Sequence, residues 1–164
     1  IFFKINGKDT VADVNRKNSI ITTNWILNID KRLPLRLVIP EVMKLQQKKR
    51  EEKAHKNEAA LNYYSYADSI GKNMAFIPFT EVYYKMGKPK SGTVVFFNKN
   101  NEIWVNDLAI KRAYFNAFFK NVKINSDTIR FAFDTNMSYG MYIQNKILME
   151  SLEKQSDSIE EFIY

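Results

Sequence analysis

Residues Asp127 to Glu153 hold, in immediate succession, a short apolar strand, an acid, a four-residue turn and a long helical stretch. In DTIRFAFD, Ile129, Phe131 and Phe133 alternate with polar or small residues, the period-2 pattern of a strand with one buried face. Asp134 ends that strand. Ser138, the last residue of the turn TNMS, is placed as the N-cap of the helix in YGMYIQNKILMESLEKQ, where its hydroxyl can accept a free amide hydrogen of the first turn. Each part fixes the direction of the next, so the fold must be built around this unit.

The stretch Trp25 to Gln46, WILNIDKRLPLRLVIPEVMKLQ, repeats the unit. Asp30 and Asp134 stand 104 residues apart. At that offset Trp25, Leu27 and Ile29 fall on Ile129, Phe131 and Phe133. Leu33 falls on Met137, Leu35 on Tyr139, Ile39 on Ile143 and Met43 on Ile147. Identity is confined to the acid and one isoleucine, so the case rests on the shared order of strand, acid, turn and helix and on matched apolar positions.

The chain of 164 residues has room for two small copies. Its 45% hydrophobic and 14% aromatic content, with five glycines and four prolines, describes a folded chain with a real core. Without cysteine it has neither a disulfide framework nor a thiolate metal site. A net charge of +7 suits solubility first, and anionic surroundings second. No run approaches the roughly 20 apolar residues that span a bilayer. The sequence opens on Ile1 rather than Met, and any signal or membrane segment is expected upstream.

Taken in order, Asn6-Gly7 marks a hairpin, and Thr10 followed by Asp13 marks a helix over about 11 to 21. The two prolines leave two readings of the next helix. It starts at Pro34 and is kinked by Pro40, or it starts at Pro40 after an extended LRLVI. Residues 48–58, KKREEKAHKNE, have almost no apolar member and form a charged insertion, as helical extension or loop. EAALNYYSYADSIG has helical spacing with Gly71 as its C-terminal cap, and two of Tyr63, Tyr64 and Tyr66 are expected to pack inward. MAFIPFTEVYYKM reads as a strand that Pro78 confines to an edge or bulge, and 87–92, GKPKSG, reads as a linker.

Beyond the linker, TVVFFNK and EIWVND pair as a hairpin across Asn98 to Asn101. Asp107 caps a helix over about 108 to 122, whose outer arc holds Arg112, Asn116, Lys120 and Lys123 as a basic stripe. The Asp134 unit follows, and IEEFIY closes the chain as a last strand. The order β-β-α-β-α-β gives an α+β fold with both helices on one face of a mixed sheet.

Constellations for catalysis are nearly absent. His55, the single histidine, sits in the charged run and reads as a surface residue, which leaves no basis for a histidine-dependent triad or metal site. Asp30 and Asp134 each end their own strand and are expected to bond turn amides rather than act as an acid–base pair. There is no Gly-rich phosphate loop. VVFF and IWV lack the glycine-aromatic pattern of an RNA-binding sheet, so nucleic acid is not an expected partner.

The second half resembles the periplasmic domains of the ExbD/TolR biopolymer-transport family. The resembling residues are NNEIWVND, the helix LAIKRAYFNAFFKNV, the strand IRFAFD with its turn, the pair Tyr139-Gly140 that opens a second helix, and the short final strand FIY. The first half keeps Asp30 and a turn proline, Pro34, but has Leu35-Arg36 in place of Tyr-Gly. The resemblance implies two tandem β-β-α-β-α-β units: a diverged copy over 1–86 with the insertion 48–58, the linker 87–92, and a second copy over 93–164. It further implies a non-enzymatic periplasmic domain, anchored to the inner membrane by an upstream helix and part of a proton-driven motor. Its partners would be an ExbB/TolQ-like membrane protein and a TonB-like protein or peptidoglycan, with dimerisation a property of the family. The family's proton-carrying acid lies in the membrane helix, so no residue here inherits it. Asp134, Tyr139, Gly140 and Asp30 become the expected partner-binding residues, with no metal and no cofactor. The alternatives are a secreted or lipid-anchored structural domain for protein contacts and, less favoured, a polyanion-binding module that uses Arg112, Lys120 and Lys123.

Overall fold

A computed structural model describes residues 1–15, 20, 22–52, 57–121, 129–150 and 159–164. The chain is α+β with mixed sheets, and it divides into two compact units, one of Ile1–Leu33 with Leu37–Glu81 and the other of Pro34–Arg36 with Val82–Tyr164. His55 and Lys123 lie outside the described residues, as do 122 and most of the expected helix beyond Asp13.

The first unit opens with an antiparallel hairpin, β1 (Phe2–Asn6) and β2 (Asp9–Asp13). Its turn is the expected one, with Gly7 at φ 63°. The helix expected from Val11 is replaced over 11–13 by β2, because the Gly7 turn folds Thr10 and Val11 back onto Ile5 and Lys4. Next come β3 (Trp25–Leu27) and the helix α1 (Leu35–Glu51), which runs through Pro40. Val38, Ile39, Val42, Leu45, Gln46 and Lys49 recur at three- and four-residue spacing and are all buried. The charged insertion is helical as far as Glu51, and 53–56 lie outside the described residues.

The stretch with helical spacing after the insertion is a strand, β4 (Asn62–Asp68). It pairs in parallel with β3 and antiparallel with β5 (Asn73–Pro78), giving the order β3-β4-β5. Tertiary pairing overrides the spacing: Tyr64 is fully buried against Phe79, ring centroids 3.9 Å apart, while Tyr63 and Tyr66 are only half-buried. Gly71 lies in the β4–β5 turn rather than at a helix end. Pro78 sits on the edge strand, as expected. The unit thus has one described helix where the tandem reading expects two.

The second unit is built on a six-stranded sheet of order β6-β11-β10-β7-β8-β9. Its strands are β6 (Val82–Met86), β7 (Thr93–Phe97), β8 (Ile103–Val105), β9 (Leu108–Ile110), β10 (Ile129–Phe133) and β11 (Ile159–Ile163). The first four neighbours, β6 to β7, are parallel, and β7, β8 and β9 are antiparallel. The stretch 87–92, expected as a linker, therefore joins two strands of one unit.

The helix expected from Leu108 begins later. Asn106 and Asp107, at φ 45° and 69°, form a two-residue hairpin turn, so Leu108–Ile110 pairs with β8 as β9. A 3-10 turn at Arg112–Tyr114 leads into α2 (Phe115–Asn121). The long helix after Asp134 is α3 (Tyr139–Glu150). Val95, Phe97, Phe131, Phe133 and Ile163 point to the core of this unit, where Phe97 meets Phe115 edge-on and Phe133 meets Tyr142 edge-on.

Candidate functional site: the Asp134 turn and the buried charges beside it

β10 delivers Asp134 to a turn whose every step is set by hydrogen bonds. The Asp134 amide donates to the Phe97 carbonyl at 2.9 Å. Its Oδ1 accepts the Asn136 amide at 2.7 Å, an Asx turn, and its Oδ2 accepts the Lys99 amide at 3.2 Å. The Met137 amide closes back on the Asp134 carbonyl at 2.9 Å, which sends the Met137 side chain into the core. Ser138 Oγ then accepts the Met141 amide at 3.3 Å, the expected cap of α3. Pro34–Arg36 also belong to this unit: the Leu35 amide donates to the Met137 carbonyl and the Arg36 amide to the Thr135 carbonyl, both at 2.9 Å. Arg36 Nε donates to Asn136 Oδ1 at 3.2 Å.

The turn thus brings Asp134, Tyr139 and Gly140 together, with unequal exposure. Asp134 and Gly140 are half-buried, whereas Tyr139 is 2% exposed and burial raises its phenol pKa far above the ordinary value. Tyr139 lies inside the unit, its ring centroid 6.1 Å from that of Tyr142. The residues the turn presents to solvent are Asn136 and Arg36.

Asp30 heads the corresponding turn of the first unit. Its Oδ1 accepts the Arg32 amide at 3.0 Å, and the Leu33 amide closes on its carbonyl at 3.1 Å. Here the carboxylate is also gripped by the Arg32 guanidinium, at 3.0 Å from Nε and 2.7 Å from Nη2. Those side-chain bonds lead in drawing the carboxyl pKa down to about 2. Arg32 in turn lies over the Phe3 ring, 4.7 Å from its centroid.

Of the expected basic stripe, the structure describes Arg112 with its side chain. Arg112 sits in the 3-10 turn, where its guanidinium donates to Asn101 Oδ1 at 2.9 Å, Asn145 Oδ1 at 2.6 Å and the Gln144 carbonyl at 3.3 Å. Burial lowers its pKa. Lys120 lies in α2, and its side chain is outside what the structure describes.

Sequence reasoning missed the buried charges. Lys146 on α3, 2% exposed, donates to Glu161 Oε1 at 2.6 Å, and Glu161 is fully buried on β11. The Tyr142 hydroxyl donates to Glu161 Oε2 at 2.7 Å and lies 3.1 Å from the Tyr84 hydroxyl on β6. The signals were in the sequence: in IEEFI, period 2 places Glu161 on the face of Ile159 and Ile163, and Lys146 stands three residues from both Ile143 and Met149. The residues that fall on these two by sequence offset or by strand register are neutral. Lys146 corresponds to Val42 at the 104-residue offset, and Glu161, paired with Phe131, corresponds to Tyr64, paired with Leu27.

Among the described residues no group of three or more His, Asp or Glu is placed to hold a metal ion, and no helix is long and apolar enough to cross a membrane. No family model, curated protein or solved structure matches the chain.

Proposed function

We propose that this chain is a non-enzymatic periplasmic domain of a proton-driven inner-membrane motor of the ExbD/TolR kind, and that it binds a partner protein or peptidoglycan and transmits force to it. The observation that carries this reading is the second unit's succession of hairpin, β10, Asp134 turn, Tyr139-Gly140 at the start of α3, and a final parallel strand β11. That order and those residues are part of what the sequence resemblance rests on; the helix it also expects from Leu108 is β9, a 3-10 turn and the shorter α2. A force-bearing domain needs a stiff connection between strand and helix. The Asx turn, the Ser138 cap and the buried Lys146–Glu161 contact supply one in a single stretch of chain.

In this reading the two units are tandem versions of the same domain, the first diverged, and the surface at Asp134, Gly140 and Asn136 is where a partner engages. Tyr139 contributes by holding the turn's shape from the core. The test is co-purification of the full-length protein in detergent with the ExbB/TolQ-like channel protein of the same organism. A stable complex is expected. Full-length protein that is folded and membrane-inserted yet never accompanied by such a channel would contradict the motor assignment.

A further inference from the structure

In the first unit, β3 is an outer strand of the order β3-β4-β5. The Trp25 amide donates to the Leu61 carbonyl at 2.9 Å, so Trp25 and Leu27 turn their backbone groups toward β4. Ile26 and Asn28, at the alternate positions, turn theirs to the other side. Ile1 engages one end of that side. Its amino nitrogen donates to the Asn28 carbonyl, and its carbonyl accepts the Asp30 amide at 2.9 Å. Those are the bonds of a residue paired in parallel with Ile29. The second unit has the same arrangement at its own acid: the Phe97 carbonyl accepts the Asp134 amide at 2.9 Å, and Phe97 pairs in parallel with Phe133. Ile29 and Phe133 lie 104 residues apart, like the acids that follow them, and Ile1 and Phe97 are both buried. Before Phe97, β7 runs through Thr93–Phe96 along Ile129 to Ala132. The residues of the first unit at that offset are Trp25 to Asn28, and no described strand lies along their open edge.

We propose that the open edge of β3 is the docking site of the polypeptide that leads into Ile1, which runs along it as a strand, parallel to β3 and in the register of β7 on β10. The second residue before Ile1 takes the place of Val95. Its amide donates to the Ile26 carbonyl, its carbonyl accepts the Asn28 amide, and its side chain is apolar and enters the core of the unit, as the fully buried Val95 does. The third residue before Ile1 takes the place of Val94 and lies beside Ile26, which is 51% exposed. The docked strand satisfies backbone groups that an outer strand leaves open, and it hands any load arriving from upstream to β3 through several hydrogen bonds at once. The proposal stands apart from the motor reading, because a strand at this edge fits an anchor, a signal sequence or another domain further upstream equally well.

Disulfide trapping in the full-length chain tests the register, since residues 1–164 hold no cysteine of their own. Neighbouring strands lie about 4.8 Å apart, within the span of a disulfide between paired residues. Ile26→Cys combined with a cysteine at the third residue before Ile1 should therefore close an intrachain disulfide on mild oxidation. With the second cysteine moved to the second residue before Ile1, both thiols should stay free, because that side chain points to the opposite face of the sheet. Hydrogen exchange gives a reading that needs no substitution: the Ile26 and Asn28 amides should exchange far more slowly in the full-length chain than in the 164-residue chain. Closure at neither position, or equally at both, overturns the proposal. So do equal exchange rates at Ile26 and Asn28 in the two chains, and a mature protein whose first residue is Ile1.

Discussion

Asp30 and Asp134, 104 residues apart, each turn a carboxylate oxygen onto the amide two residues ahead, Arg32 at 3.0 Å and Asn136 at 2.7 Å. Each also receives, on its own carbonyl, the amide three residues ahead. Leu33 and Met137 then enter their cores fully buried, and helices begin at Leu35 and Tyr139. The same local chemistry is thus built twice on sequences that share little more than the acid. An Asx turn needs one carboxylate and a free amide, and it tolerates almost anything between them.

Removing either acid is expected to weaken its turn by a similar amount. Asp134→Ala and Asp30→Ala should each cost roughly 1–2 kcal/mol, the scale of a lost turn or cap hydrogen bond. Urea unfolding of each variant checks this. A loss at one position and none at the other would separate the two turns.

Asp30 also predicts a pH effect. Its folded pKa, about 2, lies below the ordinary 3.8, so its carboxylate stabilises the folded chain above about pH 4. That contribution is lost as pH falls toward 2. Asp30→Asn should therefore flatten the stability profile between pH 4 and pH 2 and change its slope little near neutrality. An unchanged acid limb would show that Arg32 does not hold the carboxylate.

The Lys146–Glu161 pair is expected to behave as buried ion pairs do. Lys146→Met alone strands a buried carboxylate and should cost about 3–5 kcal/mol, whereas the double variant Lys146→Met, Glu161→Leu should recover most of that loss. Apolar side chains of similar volume remove the desolvation cost of both charges at once, so the pair is replaceable where either charge alone is not. Thermal unfolding of the single and double variants decides it, and a double variant worse than the single would refute it.

Arg112 ties the 3-10 turn to the β7–β8 turn at Asn101 and to α3 at Asn145 and Gln144. Arg112→Ala should destabilise the chain by about 1–3 kcal/mol, in part by leaving the fully buried Asn145 without a partner at Oδ1. Arg112→Lys should recover little of the loss, since an ammonium cannot reproduce the planar fork. Equal stability of all three chains would instead make Arg112 a surface residue without structural weight.

What the sequence made legible was local. The Asn6-Gly7 hairpin, the hairpin across Asn98, the Asp134 strand, the Ser138 cap and the edge position of Pro78 follow from residues that act within a few positions of themselves. The errors came where distant partners decide. Asn62–Asp68 has helical spacing, but β3 and β5 on either side make it a strand. Leu108–Ile110 has the pattern of a helix start, but the positive φ angles of Asn106 and Asp107 return it along β8. Of the candidate site, Asp134 and Gly140 stand at the turn as the residues suggested. The burial of Tyr139 and the charges beneath it depended on packing that no window of sequence displays.

The most direct test of the motor reading is the coding sequence upstream of Ile1. The account predicts a single apolar stretch of about 20 residues that carries one acidic residue, with basic residues before it, placing these units beyond the inner membrane. A cleavable signal or lipid-anchor sequence in its place, or no such segment at all, would contradict it.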